Sequence, residues 1–315
     1  MRALLLDGQV SFRPDYPRPA ASGDNVLVRV LTAGVCETDL QLIRGYMGYA
    51  GVLGHEFVGV AETGPYAGRR VVGEINCACG GCAMCTRDLP THCANRTVIG
   101  ILRHDGAFAD YLIVPQRNLH LVPESLPNEI AVFTEPVAAA FQILVQVPVN
   151  SADHVIVLGD GRLGNLCAQV LAAVTSRLIV VGKHPEKLAL LHGRGIKTAL
   201  VGDLAGDRSA DIVVDCTGSD TGLPAALGMV RPRGTIVLKT TVAGTQTLAW
   251  APFVIDEITL VGSRCGPFDR ALTALERGEV DVRPLIQESL PLERGVEALE
   301  LAKQRLKVLL QVSRE

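Results

Sequence analysis

Six short apolar segments after residue 153 restrict the fold of this chain more than any other feature. They read HVIVLG, RLIVVG, TALVG, DIVVDCTG, GTIVLKT and EITLVG, and most of the intervals between them are long enough for a helix. Continuous apolar strands that alternate with helices are typical of a parallel sheet covered on both faces. The second half of the chain is therefore predicted to form a doubly wound α/β domain.

A glycine-rich turn follows the first of these predicted strands. The sequence VLGDGRLGNLCAQVLAAV carries the pattern G-x-G-x-x-G between a strand and a helical segment. In that position the glycines allow the backbone to approach a pyrophosphate at a helix N-terminus. A turn with a purely structural role is the alternative. We predict a dinucleotide site formed by Gly159, Gly161, Arg162, Leu163 and Gly164.

The end of the second predicted strand, VVGKHPEKL, indicates which dinucleotide binds. NAD sites usually place a carboxylate there to hold the adenosine ribose, but this strand ends at Gly182. Lys183 and His184 follow and offer positive charge to a 2′-phosphate, so NADP(H) is favoured over NAD(H). The alternatives are an ordinary solvated Lys183, and Glu186 as a ribose ligand for NAD(H). Asp160, inside the glycine turn, is expected to point away from the phosphates.

The first 145 residues show a different pattern of short strands and turns. The segments VLVRVLTAG (26–34), VVGEI (71–75) and DYLIV (110–114) are β-branched or alternating and are separated by Gly and Pro. After residue 267 the sequence predicts two amphipathic helices, in ALTALERG and LERGVEALELAKQR, and a last strand, KVLLQV. The chain is therefore predicted to contain two domains.

Composition and charge narrow the location and the partners. The chain has 315 residues, 48% of them apolar, and a net charge of −3, which gives no electrostatic reason to expect nucleic acid or an anionic membrane. The N-terminal sequence MRALLLDGQV lacks the apolar run of a signal peptide, and the other apolar runs are too short to span a bilayer. These features predict a soluble, cytoplasmic protein.

Four closely spaced cysteines, Cys79, Cys82, Cys85 and Cys93, lie around the sequence CGGCAMC. They are candidates for disulfides, a redox pair, a metal cage or plain buried thiols. Structural disulfides are rare in the cytosol, and a redox pair requires one C-x-x-C at a helix rather than three cysteines in a run. One loop with this spacing can surround a tetrahedral ion with four thiolates, which suits structural zinc. Cys77 is left over and is predicted to be a packed side chain.

The first half of the chain also carries a second possible metal-ligand set. GVCETDL contains Cys36, Thr38 and Asp39, GVLGHEFVGV contains His55 and Glu56, and FTEPVAAAF contains Glu135. A thiolate, an imidazole and carboxylates are the ligand types of a catalytic zinc that keeps one position open. Each residue alone is more typical of an ordinary core position, but together they indicate a catalytic metal site.

These motifs, in this order, resemble the zinc-dependent alcohol dehydrogenases of the medium-chain dehydrogenase/reductase superfamily. GVCETDL is similar to the family's first ligand loop, GHEFVGV to its G-H-E signature, and TEP to the third-ligand position of its polyol (sorbitol-type) branch. The resemblance implies a GroES-like β-rich catalytic domain over residues 1–146, with the structural zinc lobe at 77–93. It also implies a Rossmann domain with a doubly wound parallel sheet over 147–266, and a segment over 267–315 that returns to the catalytic domain.

The resemblance further implies roles for individual residues. Cys36 and His55 would be fixed ligands of the catalytic zinc, and Glu56 would be a ligand that exchanges with water or substrate. Glu135 would bind zinc directly or through a water molecule. Thr38 would hydrogen-bond the substrate oxygen and pass its proton on, and Asp39 would orient His55.

The family comparison also shows two departures in the first ligand loop. Glu37 and Gln41 replace an arginine and a proton-relay histidine of the liver-type enzymes, so the proton is expected to leave through water or a cofactor hydroxyl. Together with the zinc lobe, the resemblance predicts two zinc ions per chain, one catalytic and one structural. It also predicts a small alcohol or carbonyl substrate and a homodimer or homotetramer.

Three functions are compatible with the sequence. The first is a zinc- and NADP(H)-dependent alcohol or polyol dehydrogenase, which the intact ligand set favours. The second is a carbonyl reductase that acts mainly in the reducing direction, which NADP(H) use would favour. The third is a non-catalytic nucleotide-binding descendant, which predicts a decayed ligand set, whereas Cys36, Thr38, Asp39, His55 and Glu56 are all present.

Overall fold

The computed structural model of the protein describes residues 1–204, 206–240 and 248–314. Its strands are β1 Ala3–Asp7, β2 Gln9–Arg13, β3 Asn25–Gly34, β4 Gly51–Val52, β5 Glu56–Ala61, β6 Arg70–Gly73, β7 Asn76–Cys77, β8 Thr97–Val98, β9 Tyr111–Pro115, β10 Leu119–Leu121, β11 Val155–Leu158, β12 Leu178–Gly182, β13 Lys197–Leu200, β14 Ala210–Asp215, β15 Val230–Leu238, β16 Thr259–Gly262, β17 Ile286–Pro291 and β18 Lys307–Gln311. Its helices are α1 Glu37–Ile43, α2 Asn128–Ala131, α3 Thr134–Gln146, α4 Arg162–Ala172, α5 Pro185–His192, α6 Gly222–Met229, α7 Ala251–Ile255, α8 Phe268–Glu276 and α9 Gly295–Leu301.

The chain divides into two compact units. The first comprises Met1–Glu135 together with Phe268–Glu315, and the second comprises Pro136–Pro267. The first boundary therefore falls within α3, earlier in the chain than the boundary at residue 146 that the sequence predicts. Among the described residues, no helix has both the length and the apolar character needed to cross a membrane.

The first unit is built around a mostly antiparallel sheet. Its strands run in the order β10-β6-β5-β3-β18-β17, and β9 also pairs with β3. Strand β3 is the centre of this sheet because its β-branched and apolar side chains are buried along most of its length. The C-terminal strand β18 pairs antiparallel with the end of β3, so residues far apart in sequence meet beside Gly34.

The second unit contains a six-stranded parallel sheet in the order β13-β12-β11-β14-β15-β16. Numbered within this unit, the order is 3-2-1-4-5-6, which is that of a dinucleotide-binding Rossmann fold. The central strand β11 is buried at every residue, as expected for a strand that is covered on both faces. The predicted fold class is confirmed. In this strand order, a ligand binds beyond the carboxyl end of β11, where α4 begins.

Candidate metal centres and dinucleotide site

Cys36, His55 and Glu56 form the first candidate metal centre, in the first unit. Their ligand atoms all lie within 4.8 Å of one another. Cys36 precedes the first turn of α1, and Glu56 begins β5 directly after His55. His55 and Glu56 are buried, whereas Cys36 is partly exposed. The sequence predicted these three residues as ligands, and the fold brings them together.

Asp39 is hydrogen-bonded to the loop of this centre and lies beside its imidazole. Its Oδ2 accepts the backbone N–H of Cys36 at 2.8 Å, and its Oδ1 lies 3.3 Å from Nδ1 of His55. This orientation leaves Nε2 of His55 as the nitrogen that is available to a metal. Burial alone would lower the pKa of His55, but the Asp39 carboxylate and the Cys36 sulfur raise it well above its usual value. Surroundings that favour positive charge at this point fit a metal cation.

The first position of the G-H-E motif requires a glycine for a steric reason. Gly54 has a φ of +96°, and a Cβ atom there would lie 2.3 Å from the ring of Phe108. A larger residue would therefore require both backbone strain and displacement of a buried ring. Gly54 lets the chain turn sharply into β5 and sets His55 and Glu56 beside Cys36.

Glu56 forms an ion pair that the sequence motifs do not indicate. The ammonium group of Lys307, at the start of β18, contacts Oε2 of Glu56, and both side chains are buried. Strand β3 separates β5 from β18, and a Cβ atom at Gly34 would lie 2.5 Å from Oε2 of Glu56 and 2.8 Å from Nζ of Lys307. The missing side chain at Gly34 therefore makes room for this ion pair. Oε1 of Glu56 has no hydrogen-bond partner among the described residues, which leaves an acceptor for a metal.

The other residues predicted for this centre differ in their placement. The hydroxyl oxygen of Thr38 lies 3.8 Å from Sγ of Cys36, beside the ligand group. Glu135 is partly exposed in the first turn of α3 and is not in the group of ligand atoms found among the described residues. Glu37 and Gln41, the two residues that depart from the family pattern, are hydrogen-bonded to each other: Nε2 of Gln41 donates to Oε1 of Glu37 at 2.9 Å.

Cys79, Cys82, Cys85 and Cys93 form the second candidate metal centre. Successive sulfur atoms lie 3.6 Å (Cys82–Cys85), 3.6 Å (Cys82–Cys93) and 3.5 Å (Cys93–Cys79) apart. Four sulfurs at about 2.3 Å around a tetrahedral zinc would be about 3.8 Å apart, so this spacing fits the ion. Backbone N–H groups lower the pKa of Cys82 to about 6, which favours the thiolate there, whereas burial and the neighbouring side chains of Cys82 and Cys93 raise the pKa of Cys85 to about 11. All nine cysteines are free thiols, and Cys77 is buried in β7.

The predicted dinucleotide turn lies in the second unit, and each of its three positions requires glycine for a different reason. Gly159 has a φ of +114°, and a Cβ atom there would lie 2.7 Å from the carbonyl oxygen of Cys216. A Cβ atom at Gly164 would lie 2.0 Å from the carbonyl oxygen of Gly159, so α4 can pack closely on β11 only with glycine there. At Gly161, which precedes α4, a Cβ atom would meet nothing within 4 Å. Packing therefore does not explain Gly161, whereas a phosphate that approached the backbone at the start of α4 would require a glycine there.

The remaining predicted cofactor residues lie beside this turn. Arg162 and Leu163 form the first turn of α4, and Gly182 ends β12, the strand next to β11. Lys183 and His184 follow Gly182 and are exposed. A glycine turn at the ends of two adjacent parallel strands is the arrangement that binds dinucleotides in Rossmann folds.

Comparison with known proteins agrees with this geometry. The family model of the alcohol dehydrogenase GroES-like domain matches residues 22–124, and that of the zinc-binding dehydrogenases matches residues 163–278. The L-threonine 3-dehydrogenase of Streptomyces avermitilis is 31% identical over 86% of both chains. The sorbitol dehydrogenase of Halalkalibacterium halodurans is 28% identical over 94% of both chains. A zinc-binding dehydrogenase structure from Sinorhizobium meliloti 1021, bound to NADP, is 25% identical, covers 99% of both chains and has a TM-score of 0.89.

The fold and the cysteine–histidine–glutamate centre define a zinc-binding dehydrogenase with a dinucleotide-binding unit. The chain belongs to the zinc-dependent alcohol dehydrogenase family of the medium-chain dehydrogenase/reductase superfamily. It is therefore an enzyme, a zinc-containing oxidoreductase that uses a nicotinamide cofactor. The family predicted from the sequence motifs is confirmed.

Proposed function

We propose that this enzyme transfers a hydride between NADP(H) and an alcohol or polyol, or the corresponding aldehyde or ketone. The observation that carries the proposal is the meeting of Cys36, His55 and Glu56 within 4.8 Å, with Asp39 behind the imidazole. A non-catalytic descendant would have no need to keep this ligand group or the Thr38 hydroxyl beside it. The sorbitol dehydrogenase relative supports polyols as the substrate class.

The chain's own residues divide the work at this centre. Bound zinc supplies a Lewis acid that acidifies an alcohol hydroxyl, and bound nicotinamide supplies the hydride acceptor. Thr38 hydrogen-bonds the substrate oxygen and takes up its proton. Asp39 keeps His55 in the orientation that a metal requires. Gln41 is bonded to Glu37, so we propose that the proton leaves Thr38 through water or a cofactor hydroxyl.

Two metal ions per chain are part of the proposal, one at each cluster of ligands. Cys36, His55 and Glu56 would hold the catalytic zinc, and Glu56 would exchange with water or substrate. Glu135 would complete this ligand set, directly or through a water molecule. The four thiols of Cys79, Cys82, Cys85 and Cys93 would hold a structural zinc, with no position left open for substrate.

The choice of NADP(H) rests on the end of β12. NAD sites commonly have an acidic residue at this position, but here the residue is Gly182. The next residue, Lys183, is exposed. A charge-assisted bond to phosphate contributes about 1.5–3 kcal/mol, or roughly a ten- to hundredfold preference. NADP(H) use also favours the second candidate function, a reductase that acts on aldehydes or ketones.

We also propose that the enzyme is a homodimer or homotetramer. Strand β16 lies at the edge of the parallel sheet and pairs only with β15 among the described strands. Most of its residues are exposed, including the apolar Leu260. An unpaired edge strand with exposed apolar side chains is suited to pairing with a second copy of the chain.

A substrate and cofactor panel tests the proposal. Alcohols, polyols and sugars would be assayed with NADP and with NAD in the wild type, in Lys183→Ala and in Lys187→Ala, a control at a partly exposed lysine of α5. We expect activity on an alcohol or polyol, with kcat/KM for NADP lowered by about tenfold or more only in Lys183→Ala. A wild type that prefers NAD, or equal losses with both cofactors in Lys183→Ala, would contradict the NADP(H) assignment.

A further inference from the structure

The carboxylate of Asp160 lies at the place where β12 lacks a side chain. Its Oδ2 accepts the backbone N–H groups of Lys183 at 2.6 Å and His184 at 2.7 Å. A Cβ atom at Gly182 would lie 2.5 Å from the same oxygen. Asp160 therefore points away from the glycine turn and ties that turn to the connection between β12 and α5. Gly182 lacks a side chain because this carboxylate fills the space.

The same carboxylate also fixes the imidazole of His184. Nδ1 of His184 lies 3.1 Å from both oxygens of Asp160. Burial alone would raise the pKa of Asp160, but the bonds from the backbone and ring of His184 hold it below its usual value. An ionised carboxylate only accepts hydrogen bonds, so Nδ1 carries the proton. Nε2 therefore faces away from Asp160, on a side chain that is 47% exposed.

Asp160 is poorly suited to the role of the missing ribose ligand. Its side chain is only 9% exposed, and its two oxygens already serve two backbone donors and one ring donor. Most of its capacity to accept hydrogen bonds is therefore used inside the protein. The groups that remain exposed at this corner are the ammonium of Lys183, which can donate to an anion, and the outer edge of the His184 ring, whose Nε2 donates when the imidazole carries both protons.

We propose that Asp160 is a positioning residue for the 2′-phosphate of NADP(H). It holds the backbone of Lys183 and His184 in one conformation and directs the Nε2 edge of the imidazole outward, so that both side chains are available to the phosphate. This inference rests on the proposed NADP(H) specificity and names the residue that creates it. Without these bonds, the residues after Gly182 would have to be ordered at the moment of binding, which costs conformational entropy.

Calorimetric binding of two cofactor fragments tests this role without any need for activity. 2′,5′-ADP carries the phosphate in question and 5′-AMP lacks it. We expect the wild type to bind 2′,5′-ADP at least about tenfold more tightly, as one charge-assisted bond would provide. Asp160→Asn keeps the shape but offers a single acceptor oxygen and an NH₂ group that faces other donors. It should lose most of that preference and change 5′-AMP binding by less than about threefold.

Two further variants keep the test valid even if Asp160→Asn does not fold. His184→Gln removes the ring that Asp160 orients, and Gly182→Ala places a Cβ atom 2.5 Å from Oδ2 of Asp160, which displaces the carboxylate. Both should reduce the preference for 2′,5′-ADP. Lys187→Ala, one turn along α5, should retain it.

The outcomes separate this inference from the proposed function. Equal binding of both fragments by the wild type would reject NADP(H) specificity and the role of Asp160 with it. A wild-type preference that survives in Asp160→Asn, His184→Gln and Gly182→Ala would reject only the role of Asp160. Equal weakening of both fragments in Asp160→Asn would show a purely structural role. Greater weakening of 5′-AMP would show a ribose ligand, and either of these last two results would overturn the proposal.

Discussion

The ammonium group of Lys307 contacts the carboxylate of Glu56 in a space where neither side chain reaches solvent. Nζ of Lys307 also donates to the carbonyl oxygen of Val35 at 3.2 Å. One oxygen of a predicted metal ligand is therefore held by a fixed cation, while the other, Oε1, has no hydrogen-bond partner among the described residues. Lys307 thus fixes the position of the Glu56 carboxylate in the first candidate metal centre.

Replacing Lys307 should destabilise the metal-free protein strongly. Lys307→Met leaves the Glu56 carboxylate buried without its cation, and such a change costs about 3–5 kcal/mol in the free energy of unfolding. Urea unfolding measures this loss. Lys303→Ala, which breaks an exposed pair with Glu300, is the matched control and should cost less than about 1 kcal/mol.

A double variant checks the cause of that loss. Lys307→Met combined with Glu56→Gln removes both charges and should recover part of the stability lost in Lys307→Met alone. If Lys307→Met is no more destabilising than Lys303→Ala, the buried pair has no part in holding Glu56.

The four-thiol cluster should hold one metal ion independently of the first centre. Cys82→Ser should lower the zinc content by one ion per chain and lower Tm, because a structural zinc contributes directly to folding. Elemental analysis of protein purified without chelator measures the content. Cys77→Ser, at a buried thiol outside the cluster, should retain all of the zinc. Unchanged zinc in Cys82→Ser would mean that these cysteines are ordinary thiols.

Thr38 should be required for turnover but not for metal binding. Thr38→Val keeps the shape and removes the hydroxyl that lies 3.8 Å from Sγ of Cys36. Positioned acid–base groups typically contribute about 10²–10⁴-fold, so kcat should fall by at least about 100-fold. Thr38→Ser should be mild, and zinc content should be unchanged in both variants. Near-normal turnover in Thr38→Val would remove Thr38 from proton transfer.

His120 should make stability depend on pH. Its ring nitrogens lie 3.0 Å from Oε1 of Glu74 and 2.8 Å from Oδ1 of Asp269, and its ring stacks on Phe268. Burial lowers the pKa of His120, but these two carboxylates outweigh it and raise the pKa above the usual value. A raised pKa means that the stabilisation is complete below the unfolded value of about 6.5 and is lost as pH rises through the folded value.

Unfolding measurements at several pH values test this. The difference in the free energy of unfolding between wild type and His120→Gln should be largest below about pH 6.5, the unfolded pKa of histidine, and should shrink as pH rises through the folded pKa. A difference that is constant with pH, or that grows with pH, would show that the imidazolium is not the source of the stabilisation.

The sequence was sufficient to predict which side chains cluster where a cluster comes from short motifs. The candidate ligands Cys36, His55 and Glu56, and the four clustered thiols, come from short segments, and the fold brings them together as the motifs predict. Lys307 could not be predicted in this way, because it is 251 residues from Glu56 and only the register of β18 on β3 brings them together. For Asp160, the sequence predicted only that the side chain points away from the phosphates. Its hydrogen-bond partners could not be predicted, because they lie at the end of a neighbouring strand.

The most direct test of the account is the zinc dependence of hydride transfer. Reduction of NADP by the best alcohol or polyol of the panel would be followed in the wild type, in protein depleted of metal by a chelator and in the same protein restored with zinc. We predict that activity disappears on depletion, returns with zinc, and does not return in Cys36→Ser. Activity that survives complete zinc removal, or zinc-restored Cys36→Ser that turns over at the wild-type rate, would contradict a catalytic zinc held by Cys36, His55 and Glu56.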